Sequence, residues 1–217
     1  MYTTLLRIIP LELAAILSPL LLTLTIFLLG SKKWPRLKAF FFLIGALVVG
    51  LGASFLGDQF GRFLDVDGGS MYRSAVVDII FGCIFLTFGF ASLFFKAKSA
   101  AAFAKFSVRS VWIWLPLGFI LNFTNFDAIV LIITAAREIE KSGLESFPRV
   151  ILLIINSGFY TLPVLFPLLV FLLLPHRAGR ILGKVSNFMV SYSKYVALIL
   201  LTAFGLFFLV RGLNFFY

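Results

Sequence analysis

Glu12, Asp78 and Asp127 each fall within or at the edge of a long apolar run. A carboxylate buried in lipid costs several kcal/mol, so it faces a cavity, finds a partner or holds a proton. At about 1.5 Å of rise per residue, Glu12 and Asp127 both come out about 10 Å below the same surface. No Lys or Arg in their runs lies deep enough to neutralise them. A shared polar cavity with proton or cation affinity follows as an expectation. Asp78 lies near a boundary and reads instead as a residue bonded to a neighbouring helix or reaching the interface.

The densest polar cluster surrounds Asp127: Asn122, Thr124, Asn125 and then Asp127 itself. Asn122 and Asn125 are three apart and share a helical face. Their amides offer donors and acceptors together, which suits a polar head group or an ion. Ser18-Pro19 interrupts the first apolar run, and proline removes a backbone donor and frees a carbonyl one turn back. Irregular backbone at membrane depth is tolerated only where it packs on protein or lines a cavity. Asn156, Tyr160, Pro163 and Pro167 follow spacings of four, three and four, so they line one face of a fifth run. That face reads as a third wall of the site. Pro19, Pro163 and Pro167 are candidate hinges, static kinks being the plain alternative. The candidate binding residues are therefore Glu12, Ser18, Pro19, Asn122, Thr124, Asn125, Asp127, Asn156 and Tyr160.

Elements that could hold these residues must cross a bilayer. The chain is 61% hydrophobic and 13% charged, with a mean hydropathy of +1.08. A soluble domain of this length could not bury so much apolar surface. The apolar runs fall near Ile8 to Leu29, Ala39 to Leu56, Val76 to Phe95, Val111 to Ala135, Val150 to Leu174 and Tyr195 to Val210. Each approaches the ~20 residues of a helical span. Strands this apolar on both faces could not line a barrel lumen. The fold class is an all-α integral membrane protein of six transmembrane helices.

Three joining segments carry twelve basic residues and no acidic ones: Lys32, Lys33, Arg36 and Lys38; Lys96, Lys98, Lys105 and Arg109; Arg177, Arg180, Lys184 and Lys194. Lys and Arg are retained on the cytoplasmic side. Both termini are then outside, with Asp58, Asp65, Asp67, Glu138, Glu140 and Glu145 in outer loops. The net charge of +10 belongs to these loops and reads as attraction to anionic lipid rather than to nucleic acid. Phe103, Phe106 and Val108 alternate with Lys105 and Arg109, and Ile181, Leu182, Val185, Phe188 and Met189 recur among Arg180, Lys184 and Lys194. These stretches suit basic amphipathic helices on the inner leaflet, or else solvated loops.

The two halves echo each other in where the helix-disturbing residues fall, Ser18-Pro19 in one and Asn122 to Asn125 in the other. With three spans per half, the second half runs inverted. One transmembrane domain over 1–217 would then hold half-repeats of about 1–98 and 106–217. Ala46, Gly50 and Ser54, with Ala53 and Gly57, form small-residue faces for helix packing, as do Gly82, Gly89 and Gly205. Such faces serve contacts within the chain or within a homo-oligomer.

Leu-Ala-Ala-Ile-Leu-Ser18-Pro19, Phe-Leu-Ile-Gly45 and Asn122-x-x-Asn125 resemble motifs of the lysine-exporter superfamily. Ala203-Phe-Gly205-Leu-Phe-Phe-Leu-Val-Arg-Gly212 is similar to the last span of its GAP branch, which includes the sulfolipid-addressing proteins. The resemblance implies a 3+3 inverted repeat and movement of amino acids, ions or glycolipids. The family's second polar motif typically reads Asn-Pro-Lys, and here Asn125-Phe126-Asp127 stands in its place. A carboxylate instead of a lysine inverts the local charge and favours a cationic substrate or proton coupling.

Two functions emerge. One is a transporter or exporter of a small polar or cationic solute, with Asp127 or Glu12 exchanging a proton. The other is a lipid or glycolipid translocator, or an accessory protein delivering lipid to a partner. An enzyme is not expected. His176 is the only histidine and Cys83 the only cysteine, and no metal-ligand set, nucleophile triad, phosphate-binding glycine loop or CxxC pair is present. No metal or cofactor is implied. The expected partners are membrane lipids and the transported species, in the plasma membrane.

Overall fold

The computed structural model describes residues 2–65, 70–94 and 110–216. Among these, every regular element is a helix: α1 (Tyr2–Ala15), α2 (Pro19–Leu29), α3 (Pro35–Asp65), α4 (Ser70–Phe94), α5 (Trp114–Phe123), α6 (Phe126–Glu140), α7 (Ser146–Leu173) and α8 (Pro175–Leu213). Four of them, α3, α4, α7 and the second half of α8, contain single helices long and apolar enough to cross a membrane. The other four form two bent pairs, α1 with α2 at 61° and α5 with α6 at 74°. Counting each pair as one span gives six, so the described helices supply four to six spans.

Both breaks have local causes. Pro19 cannot continue α1, and it begins α2 at the position where a missing N–H costs nothing. The turn between them closes through Leu17 N–H to the Ala14 carbonyl and Ser18 N–H to the Ile16 carbonyl, at 3.1 and 2.8 Å. In the second pair Asn125 leaves the helical region, with φ −86° and ψ 62°, and α6 starts at Phe126. Pro35 and Pro175 likewise open α3 and α8. α7 runs through Pro163 and Pro167 without a break.

Packing divides the apolar interior into two clusters. One gathers Ile8 and Leu11 of α1, Val49 and Ala53 of α3, Leu131 to Ala136 of α6 and Leu152 to Tyr160 of α7. The other gathers Leu21 to Leu29 of α2, Ala39 to Ala46 of α3, Trp114 of α5 and Val164 to Leu168 of α7. The two bent pairs change direction where these clusters meet. Helix α3 packs on α5, α6 and α7, α1 on α6, α2 on α7, and α4 on α8. Gly118 of α5 makes its crossing with α3 possible. A Cβ there would lie 2.5 Å from the Phe42 carbonyl oxygen, and one on Gly45 would meet Leu115 and Phe119 backbone.

Several expectations about the ends of the spans are corrected. Asp58 is not in a loop but in α3 and 2% exposed, and Glu138 and Glu140 lie within α6. The helices outlast their apolar runs because their charged final turns find partners inside the bundle. Of the two readings of the segment after His176, helix and loop, the helix holds. It forms the first turns of the continuous helix α8, with Ala178 and Leu182 buried and Arg177, Arg180 and Lys184 exposed. Asp67, the 96–109 segment with its proposed amphipathic stretch, and the suggested half-repeat boundaries lie outside the described residues.

Candidate functional site

Three of the sequence-derived residues meet at the break between α5 and α6. Tyr160 of α7 is 1% exposed, and its hydroxyl donates to the Asn122 carbonyl at 2.8 Å. That carbonyl also accepts the Asn125 N–H at 3.0 Å. The Asn122 side chain donates back to the Gly118 carbonyl at 2.7 Å, which leaves its own Oδ1 buried without a partner among the described residues. Asn125 Nδ2 is buried and unpartnered among them as well. One orphan acceptor and one orphan donor therefore remain at a break in the backbone. Buried polar atoms are rarely left so, and a ligand or water is the usual reason.

Asp127 is half-buried in the first turn of α6, with its carboxylate against the backbone amides of Asp127 and Ala128. A helix N-terminus favours negative charge. This gives Asp127 a local counterpart that its apolar sequence context does not reveal. It lies within electrostatic reach of Tyr160. Thr124 is exposed and turns its hydroxyl back to the Leu121 carbonyl at 3.0 Å.

One turn along α7, Asn156 is fully buried and donates to Ser54 Oγ at 3.0 Å and to the Ile132 carbonyl at 3.2 Å, leaving its Oδ1 without a partner among the described residues. Ser54, read from sequence as a packing residue, is thus part of the polar layer. Pro163 and Pro167 continue the same buried face. Ser18 is buried in the linker between α1 and α2 and gives α2 no side-chain cap.

Glu12 stands apart. It is fully buried in α1, and neither carboxylate oxygen has a hydrogen-bond partner among the described residues. No hydrogen bond joins it to Asp127.

The strongest polar constellation was not anticipated. Arg137 of α6 is fully buried. Its Nη1 donates to Asp78 Oδ1 at 2.6 Å, and its Nη2 to the Ser74 carbonyl and Oγ at 3.1 and 2.8 Å. Arg211 of α8 donates to Asp78 Oδ2 through Nε at 2.6 Å and to Glu138 Oε1 through Nη2 at 2.7 Å. Lys141 Nζ donates to Ser74 Oγ. Burial, reinforced by the Arg137 guanidinium, holds the Lys141 amine below the ordinary lysine range. Asp78 is thereby tied to neighbouring helices, as its boundary position suggested. A second knot joins Arg149 of α7 to Asp58 at 2.5 Å, with Arg62 on the other Asp58 oxygen at 3.2 Å. A faint sequence signal existed. Ser74 and Asp78 share one face of α4, and Arg137, Glu138 and Lys141 cluster at the end of α6.

A groove of about 550 Å³ opens beside this network, between α1, α6 and α8. Arg7, Arg211 and Glu138 border it, and apolar side chains of α1 and α8 form its walls. It does not include the residues of the α5–α6 break. No set of three or more His, Cys, Asp or Glu side chains able to hold a metal occurs among the described residues.

Membrane-length helices, two of them bent pairs broken around buried polar groups, define a polytopic integral membrane protein. The chain belongs to the SfLAP family, described as Sap, sulfolipid-1-addressing protein, which matches residues 8–214. Neither a curated protein nor a solved structure shows a significant match to it.

Proposed function

We propose that this protein moves a lipid or glycolipid within the cell membrane, or hands it to a partner, with a polar part of the cargo engaged at the α5–α6 break. The observation that carries this reading is the family match over residues 8–214, whose description concerns the addressing of a sulfolipid. The orphan amide atoms of Asn122, Asn125 and Asn156 supply hydrogen-bonding capacity at the break and one turn along α7. In this reading α1–α4 and α5–α8 are inverted halves, each opening with a bent pair, as in the lysine-exporter superfamily. They would move about the Ser18-Pro19 and Asn122–Asn125 breaks, with Pro163 and Pro167 as flexible points of α7. The basic segments face the cytoplasm and both termini the outside, a placement supported by the twelve Lys and Arg residues of those segments. The protein acts without a catalytic step.

The test is lipid transfer between leaflets of proteoliposomes, together with native mass spectrometry of lipid retained after gentle purification. Asn122→Ala and Asp127→Asn should each reduce both signals several-fold. Transfer at the rate of protein-free liposomes, with no lipid retained, would remove the reading.

A second reading rests on Glu12. A fully buried carboxylate without a partner suits a proton-coupled exporter of a small cationic or polar solute. Solute-driven proton flux in the same liposomes, lost in Glu12→Gln, would favour it. Flux unchanged by that substitution would dismiss it.

A further inference from the structure

The groove between α1, α6 and α8 has the form of an amphiphile. Its charged residues, Arg7 and Arg211, lie at the end of the bundle where α1 begins and α8 finishes. On α1 the wall continues through Pro10 and Leu11, one turn from Arg7. On α8 it continues through Phe208 and Phe204, ending at Ala203, about 12 Å from Arg211 along the helix. Charge at the mouth thus gives way to an apolar trough running toward the middle of the bundle.

The charge at the mouth is unbalanced. Arg211 is bonded to Asp78 and Glu138, but Asp78 also accepts from Arg137, and both carboxylates lie within electrostatic reach of Lys141. Arg7 is exposed and makes no ion pair among the described residues. Among the described residues three cations, Arg137, Lys141 and Arg211, thus share Asp78 and Glu138, while Arg7 lines the mouth with Arg211, and an anion there restores the balance. A guanidinium presents a planar fork that matches phosphate or sulfate oxygens. A second groove, of about 530 Å³, lies across Phe207 and shares Ala203 and Arg211 with the first.

We propose that this paired groove is a lateral docking site for a membrane lipid with an anionic head group. Arg7 and Arg211 hold the head group, and acyl chains lie on either side of the Phe207 ridge. The inference deepens the lipid-handling reading by naming the charge class of the lipid and a site separate from the α5–α6 break. The Glu138 carboxylate at the mouth repels the head group, so docking relies on Arg7 as the unpaired cation.

The experiment uses the full chain in nanodiscs holding equal amounts of phosphatidylglycerol and phosphatidylcholine with matched acyl chains. Lipid that stays bound on release is counted by native mass spectrometry. The wild-type protein should retain phosphatidylglycerol about tenfold over phosphatidylcholine, as one charge-assisted contact implies. Arg7→Gln should erase most of that preference while leaving chain retention. Ala203→Trp adds bulk at an exposed position of α8 that lines both grooves and should remove retained lipid of both kinds. An unaltered melting temperature in both variants separates these effects from misfolding. Equal retention of the two lipids by the wild type, or full retention by Ala203→Trp, would overturn the site. Leaflet transfer measured on the same samples keeps the two claims apart. Normal transfer by a wild-type protein that retains the two lipids equally removes the groove and leaves the lipid-handling reading standing. Lipid held in the groove by a protein that transfers none removes that reading and keeps the groove.

Discussion

The two ends of α6 hold polar groups in opposite ways. At its C-terminal end Arg137 and Glu138 are buried, and each has a partner of opposite charge on a neighbouring helix, within 2.7 Å. Just before its N-terminal end, Asn122 of α5 and Asn125 keep buried amide atoms with no partner among the described residues. The first arrangement ties α4, α6 and α8 together. The second leaves hydrogen-bonding capacity unspent beside a break in the backbone. Polar groups at the two ends of α6 thus serve cohesion at one end and are free for a ligand at the other. Glu12 belongs with the second kind, although it lies on α1.

The difference is largest for charge, so charge is where it should be broken first. Asp78→Ala would leave the fully buried Arg137 facing Ser74 alone, and stranding a buried charge costs about 3–5 kcal/mol. Glu12→Gln strands no cation and should cost less than about 1 kcal/mol. Thermal unfolding in detergent compares the two. Equal losses would mean that Glu12 has an ionic role in cohesion and that the contrast is false.

That contrast was only half legible in the sequence. Pro19 and the Asn122-x-x-Asn125 spacing mark both positions where a helix is interrupted, because proline and clustered amides act on the backbone within a turn of themselves. The partners of Arg137 and Arg211 are 59 and 133 residues away. A window of hydropathy sees those residues only as the ends of apolar runs, so Asp58 and Glu138 pass for loop residues. The continuity of α8 was hidden for the same reason, since its first turns are basic outside and apolar only at positions such as Ala178 and Leu182. Asp127 shows the converse limit. Its apolar neighbours make it look stranded, whereas α6 gives it the amides of its own first turn.

The next effect in size concerns the crossing that holds the break in place. Gly118→Val would drive a side chain into the Phe42 backbone, and overpacking of this kind costs about 1–3 kcal/mol. Since α5 cannot shift from α3 without moving Asn122, the variant should lose lipid transfer together with stability. A destabilised protein with normal transfer would show that the break need not be held to this precision.

Tyr160→Phe is gentler and more local. It removes one buried hydrogen bond to the Asn122 carbonyl, worth about 1 kcal/mol. The carbonyl keeps the Asn125 N–H, so the break itself should persist. Loss of transfer beyond the small fall in melting temperature would assign the hydroxyl to the cargo. A fall in stability alone would leave Tyr160 with the cohesive groups, on the other side of the comparison.

The smallest expected effect tests whether the cohesive end is saturated with positive charge. Lys141 has a folded-state pKa below its ordinary value of 10.5, burial and then Arg137 opposing the charged form. The unfolded chain therefore binds this proton more readily than the folded one. Stability should rise as pH climbs through the lowered value toward the ordinary one, and the gain should be absent at lower pH. Partial exposure of Lys141 screens the effect. Melting temperatures between about pH 8 and pH 10 should climb slightly more in the wild type than in Lys141→Gln. Parallel curves would mean that the ammonium is accommodated without strain. The excess of cations over carboxylates around Asp78 and Glu138 would then exert no pull on an anion at the neighbouring groove.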